Sequence, residues 1–240
     1  VTEQGIPLTF CPGVNHTTVT EHTFTLLLSL CKNLVPQANT CAQGQWKRST
    51  GHEIFGKRIL ILGMGRIGKE VAIRARAFGM QVSGYNRSWD DSFAQAHQIS
   101  RVTDIESALP STDIVSLHLP FTESTHNLIN SDRLALLPQG SYVINTGRGE
   151  LVDPSAVVSA LESGHLGGYG ADVLDQEPPP SDHPLLGAPR CVITPHVGSR
   201  TYESVARQAE KAARNLILAM NGEQPLAQAN NVPIPQPLSH

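Results

Sequence analysis

GKRILILGMGRIGKEVAIRARAFGMQVSGYNR, residues 56–87, decides the fold. Ile59-Leu60-Ile61-Leu62 is a continuous apolar run, as expected of a strand covered on both faces. Gly63-Met64-Gly65-Arg66-Ile67-Gly68 follows, a G-x-G-x-x-G pattern. Ile67, Val71, Ala75 and Phe78 then recur at helical spacing until Gly79 stops the helix. A second strand over Gln81–Tyr85 closes a β-α-β unit. Alone the glycine pattern is weak, but here it stands between a strand and a helix, the context in which it binds dinucleotides. Gly63 permits the tight turn, Gly65 lets backbone approach a pyrophosphate, and Gly68 lets helix and strand pack closely. The helix start then offers unpaired N–H groups to phosphate. Gly63, Gly65, Arg66, Ile67 and Gly68 are thus the expected pyrophosphate-binding turn.

About 20 residues past the glycines an acidic residue ordinarily holds the ribose 2′-hydroxyl of NAD. This chain has Asn86-Arg87-Ser88 there. A carboxylate would repel a 2′-phosphate, whereas Arg87 and Ser88 can bind one through charge and hydrogen bonds. NADP(H) is therefore expected over NAD(H).

Outward from this unit the chain keeps alternating. Residues 1–16 read as an extended piece turning at Pro12-Gly13, and Thr18-x-x-Glu21 as a capping box opening an apolar helix that Pro36 ends. Residues 37–56 read as a polar connection. Beyond the first unit, strands are expected over 113–119, 141–145, 169–173 and 191–194, with helices opened by Thr103, Asn130 or Ser131, and Asp153-Pro154. A long helix runs over 201–221, and a Pro-, Gln- and Asn-rich tail over 223–240 reads as extended or mobile. Six strands separated by helices make an α/β, doubly wound parallel sheet of Rossmann type.

In such sheets ligands sit beyond the carboxyl ends of the strands. Arg148, Glu177 and His196 each follow a separate strand, so they can converge there. Hydride transfer to a 2-oxo acid needs that set: a forked cation for the carboxylate, an acid/base near neutral pH for the carbonyl oxygen, and a carboxylate orienting the imidazole and favouring its protonated form.

The net charge of −3 and pI near 6.4 give no basic footprint for nucleic acid. No apolar run approaches the roughly 18 residues of a membrane span. Cys11, Cys31, Cys41 and Cys191 show no metal-like spacing, so no metal site is expected, and they read as free thiols of a cytoplasmic protein.

In PGVNHTTVTEHT (12–23), GKRILILGMGRIG (56–68), NTGRGELVD (145–153), ADVLDQEP (171–178) and TPHVGS (194–199), the chain resembles the D-isomer-specific 2-hydroxyacid dehydrogenase family. The resemblance implies Arg148 for substrate binding and carbonyl polarisation, His196 as acid/base and Glu177 as its partner. It further implies Asp172 on the nicotinamide carboxamide, Thr146 and Gly198 near that ring, and Pro120 on the adenosine side. It also implies a small 2-oxo or 2-hydroxy acid substrate and a homodimer to which the 37–56 arm contributes. The subgroup most similar is glyoxylate/hydroxypyruvate reductase. NAD-dependent phosphoglycerate dehydrogenase and a cofactor-sensing corepressor are the alternatives. Formate dehydrogenase pairs its His with Gln, against Glu177 here. Residues 1–13 match only the end of the family's flavodoxin-like substrate domain. Residues 14–200 are then the dinucleotide-binding domain, and 201–240 the helix and tail returning toward the substrate domain. A truncated or cleaved form of this kind is expected to bind cofactor but turn over slowly.

Overall fold

The computed structural model describes residues 1–234. The described residues divide into two units, residues 19–198 and residues 1–18 with 199–234.

The larger unit holds a seven-stranded parallel sheet. The strands are β1 (Arg58–Leu62), β2 (Gln81–Tyr85), β3 (Ser100–Val102), β4 (Ile114–Leu117), β5 (Ser141–Asn145), β6 (Leu166–Ala171) and β7 (Cys191–Ile193), in the order β3-β2-β1-β4-β5-β6-β7. The apolar run of β1 divides by parity. Ile59 and Ile61 pack with Val71, Ala72 and Ala75 of α3 (Arg66–Ala77), and with Leu26, Leu27 and Leu30 of α1 (His16–Cys31). Leu60 and Leu62 face the opposite layer, with Val157 and Leu161 of α7 (Pro154–Glu162). A strand buried on both faces needs this uninterrupted pattern, and each buried Leu or Ile contributes about 1.5–3 kcal/mol.

The doubly wound parallel sheet agrees with the sequence reading, and several local expectations are corrected. There are seven strands rather than six, because β3 and the helix α4 (Asp91–His97) before it were not anticipated. β3 is three residues long and at most half-buried, so it lacks an apolar signature. Pro36 does not end a helix. Asn33, at φ 51°, breaks the chain after α1, and α2 (Leu34–Ala42) begins with Pro36 in its first turn, where no intrahelical N–H partner is lost. The connection expected over 37–56 is therefore helical as far as Ala42. The first helix starts at His16, ahead of the expected capping box, and the Thr18 hydroxyl bonds that of Thr201 at 3.3 Å. Asp104 rather than Thr103 precedes α5 (Ile105–Ala108). β6 begins at Leu166, three residues before expectation, because Leu166 and Gly168 pair with Ser141 and Tyr142 of β5 although the two glycines between Leu166 and Tyr169 carry no apolar signal. α6 (Ser131–Leu136) starts as expected, with the Asn130 side chain accepting from the Arg133 N–H.

In the smaller unit, α8 (Tyr202–Met220) is capped by Thr201. Its buried Asn215 donates to the Phe10 carbonyl at 3.0 Å and accepts from the Leu226 N–H at 2.9 Å. Lys211 donates to the Pro12 carbonyl at 2.7 Å. These bonds tie the two ends of the chain together, and Thr9 bridges Gln228 antiparallel. Of the tail expected over 223–240, residues 235–240 lie outside the described residues.

Candidate active site

Every candidate residue except Arg66, Ile67 and Gly68 lies in a loop after a strand, as the topology requires. Gly63 leaves β1 at φ 105°, and a Cβ there would stand 2.6 Å from the His118 carbonyl carbon. A Cβ on Gly68 would meet the Gly63 carbonyl oxygen at 1.9 Å. Both positions therefore require glycine, one for conformation and close approach, the other for contact. Gly65 is different: it precedes α3, and nothing lies within 4 Å of its Cβ position. Backbone fronting open space at the start of a twelve-residue helix fits a pyrophosphate cradle. Arg66 is exposed there and Ile67 half-buried.

Asn86 connects the two turns. Its side-chain oxygen accepts from the Met64 N–H at 3.2 Å, and its amide donates to the Ser88 carbonyl. Both ends of the amide are thus engaged by the protein. Arg87 and Ser88, both exposed, line a cavity of about 380 Å³ with Tyr85, Leu119, Pro120 and Thr122. Arg87 has no ion pair among the described residues.

Glu177 and His196 meet. His196 Nδ1 lies 2.7 Å from Glu177 Oε2, while Glu177 Oε1 accepts from the Leu174 N–H at 3.0 Å. The carboxylate is held at one end and grips the ring with the other. His196 has φ 53°, in the left-handed region, and its N–H closes onto the Thr194 carbonyl at 3.0 Å. With Nδ1 committed to Glu177, Nε2 is the nitrogen available for proton transfer. Both residues border a cavity of about 430 Å³ lined also by Asp172, Leu174, Leu186 and Pro195.

Arg148 stands apart from this pair. Its guanidinium donates to the neighbouring Gly147 carbonyl at 2.7 Å, with no bond to Glu177 or His196 among the described residues. Its loop is nonetheless fixed. Buried Asn145 receives the Gly147 N–H at 3.0 Å and donates to the Arg148 carbonyl at 2.8 Å. Gly149 packs so closely on the Glu177 loop that a Cβ would stand 1.9 Å from the Leu174 carbonyl carbon. The two loops are adjacent, backbone on backbone.

Asp172 is buried and largely engaged by the protein. It accepts from Thr194 Oγ1 at 2.6 Å and from the Val197 and Gly198 N–H groups at 2.9 and 2.7 Å. Burial alone would raise its pKa, but donation from His22, Thr194 and the two backbone groups outweighs it and holds the carboxyl below the ordinary range. Thr194 spends its hydrogen on Asp172, so it accepts from His22 Nε2 at 2.8 Å. Asp172 thus shapes the loop that carries His196 and Gly198, with acceptor capacity left on Oδ2. His22, Thr194, Asn145 and Gly149 were not anticipated from the sequence as parts of the site. For His22 no local signal exists, since it lies 172 positions from Thr194. Thr146, which was anticipated, is buried and bonded to Thr23 and His118.

A doubly wound sheet with a glycine-turn cradle and a His–Glu pair at its carboxyl edge defines a dinucleotide-dependent oxidoreductase domain. Residues 24–198 match the family described as D-isomer specific 2-hydroxyacid dehydrogenase, NAD binding domain. A glyoxylate reductase of Thermofilum pendens is 39% identical over 237 residues, 95% of this chain and 69% of that protein. A D-3-phosphoglycerate dehydrogenase of Bacillus subtilis is 35% identical over 235 residues, 97% of this chain and 44% of that protein. The crystal structure of a glyoxylate reductase from Paecilomyes thermophila superposes with a TM-score of 0.86 at 33% identity, covering 95% of this chain and 69% of that one. The chain belongs to the D-isomer specific 2-hydroxyacid dehydrogenase family and is an oxidoreductase with a nicotinamide dinucleotide cofactor. Among the described residues no helix is long and apolar enough to cross a membrane.

Proposed function

We propose that this protein reduces a small 2-oxo acid, glyoxylate or hydroxypyruvate, to the D-2-hydroxy acid with NADPH. The observation that carries the reading is the 2.7 Å contact between His196 and Glu177 at the strand exits. Gly63, Gly65, Arg66, Ile67 and Gly68 hold the pyrophosphate. Arg87 and Ser88 hold the 2′-phosphate, on a turn shaped by Asn86 and beside Pro120. Thr146, Asp172 and Gly198 face the nicotinamide. When bound, the reduced nicotinamide supplies the hydride. Arg148 swings from the Gly147 carbonyl to clamp the substrate carboxylate, and its charge polarises the carbonyl. His196 delivers the proton from Nε2 to the carbonyl oxygen, and Glu177 stabilises the ring through that exchange. The working protein is a homodimer to which residues 37–56 contribute. Residues 1–13 and 201–240 serve a substrate domain, and 14–200 the cofactor.

The 35% identity to a phosphoglycerate dehydrogenase favours a second reading, an NAD-dependent enzyme acting on a phosphorylated 2-oxo acid. Glyoxylate- and hydroxypyruvate-dependent NADPH oxidation, compared with phosphohydroxypyruvate and NADH, separates the two. Rates confined to the phosphorylated substrate and NADH would refute the proposal.

Cofactor choice has its own test. Arg87→Asp is expected to weaken NADPH binding about 10- to 100-fold, the worth of charge-assisted hydrogen bonds, and to leave NADH binding nearly unchanged. Fluorescence titration of both cofactors measures it. An unaltered NADPH/NADH ratio would remove Arg87 from cofactor recognition.

A further inference from the structure

The loop that carries Glu177 hangs between two buried leucines. Leu174 leads into it and Leu185 leads out, and both belong to the core layer that holds Leu151 and Tyr169. Between them residues 175–182 are exposed, apart from half-buried Pro179. The first half of the loop is fixed. Gly149 lies against the Leu174–Asp175 peptide, and the Leu174 N–H holds Glu177 Oε1. Neither contact reaches the second half, which returns to the interior at His183. That residue is only 6% exposed, and its N–H donates to the Pro180 carbonyl at 3.1 Å.

The imidazole of His183 joins the two halves. The Leu185 N–H donates to Nδ1 at 3.3 Å, so Nδ1 is the bare nitrogen and Nε2 carries the hydrogen. Nε2–H in turn donates to Asp175 Oδ1 at 2.8 Å. One buried ring therefore binds the backbone where the loop ends and the side chain where it begins. Among the described residues no hydrogen bond joins His183 or Asp175 to Glu177 or His196. Any influence on the chemistry must pass through the path of the loop.

We propose that His183 is a positioning residue: by closing the neck of this loop onto Asp175, it holds Glu177 at its 2.7 Å distance from His196. The proposal rests on the reading of Glu177 and His196 given above. With the neck open, an exposed span with few backbone bonds moves freely between its leucine anchors. A carboxylate displaced by about 1 Å no longer orients the ring, and a shift of that size is enough to slow an enzyme severely.

His183→Ala and Asp175→Ala test it, the second because Asp175 is exposed and its truncation opens no cavity in the core. Each should lower kcat for glyoxylate reduction about 10- to 100-fold, the worth of a hydrogen bond to a charged group, with NADPH affinity within about twofold. The double variant should lose no more than either single one, since both break the same bond. His183→Gln, whose amide N–H can replace Nε2–H, should restore most of the rate. Reduction needs the protonated His196 imidazole, which a loosened Glu177 stabilises less. The alanine variants should therefore begin to lose rate at a lower pH, a shift that weakened core packing alone would not produce. Proton NMR reads the geometry without turnover. The low-field resonance of His196 Nδ1–H on Glu177 should be present in the unaltered chain and lost in Asp175→Ala, and nitrogen-15 NMR should place the His183 proton on Nε2. A resonance that survives in Asp175→Ala, or a His183 proton on Nδ1, overturns the proposal. An unaltered chain that shows the resonance but reduces no 2-oxo acid would refute the dehydrogenase reading instead, and the spectrum of Asp175→Ala would still decide the role of His183.

Discussion

His196→Ala is expected to lower kcat/KM for glyoxylate about 10²- to 10⁴-fold, the usual contribution of a positioned general acid. NADPH affinity should stay within about twofold, because the substitution removes an interaction made in the transition state rather than in cofactor binding. Stopped-flow single turnovers and cofactor titration measure the two effects separately. The geometry makes the forecast specific. Glu177 is held by the Leu174 N–H and grips Nδ1, so Nε2 alone is positioned to exchange a proton. Glu177→Gln keeps a hydrogen-bonding group but removes the charge, and should show a smaller loss with an altered pH–rate profile. A His196→Ala enzyme retaining more than about a tenth of the original rate would deny that imidazole the acid/base role.

Gly149→Ala is expected to cost about 3 kcal/mol of stability, because the new methyl group would stand 1.9 Å from the Leu174 carbonyl carbon and 2.1 Å from the Asp175 nitrogen. Backbone cannot yield as a flexible side chain does. For a chain of this size the loss lowers Tm by about 10 °C, readable by calorimetry. Folded protein should also lose about 10²-fold in kcat/KM, since the Arg148 loop must lift from the Glu177 loop by about 1 Å. Unchanged Tm and activity would show that the two loops are not packed as described.

The elements legible in the sequence were those whose signal is local. The Ile59–Leu62 run, the glycine turn, the Asn130 and Asp153 caps and the long final helix each state their structure within a few residues. Placing Arg148, Glu177 and His196 after strands required only the alternation of elements, and the structure brings the last two into contact. What was not legible depends on partners remote in sequence. β3 is a strand only because β2 offers it an edge, since Ser100–Val102 has no apolar pattern of its own. The strand expected from 169 starts earlier, at Leu166, because Leu166 and Gly168 pair with Ser141 and Tyr142 of β5 around an irregularity at Gly167. Pro36 reads as a stop and becomes part of a start because Asn33 has already turned the chain. The hydroxyl and imidazole groups behind Thr146 and Asp172 come from α1 and the loops after β4 and β7, and no spacing rule announces such a gathering.

Asn86 carries a consequence for how this protein can change. Its side chain braces the glycine turn from beneath through Met64 and restrains its own loop through Ser88, without waiting for a ligand. The next two positions, Arg87 and Ser88, are exposed and project from a support that does not depend on their identity. They form an exchangeable cassette. On the reading proposed above, exchange of these two residues is expected to change coenzyme preference with little penalty to folding.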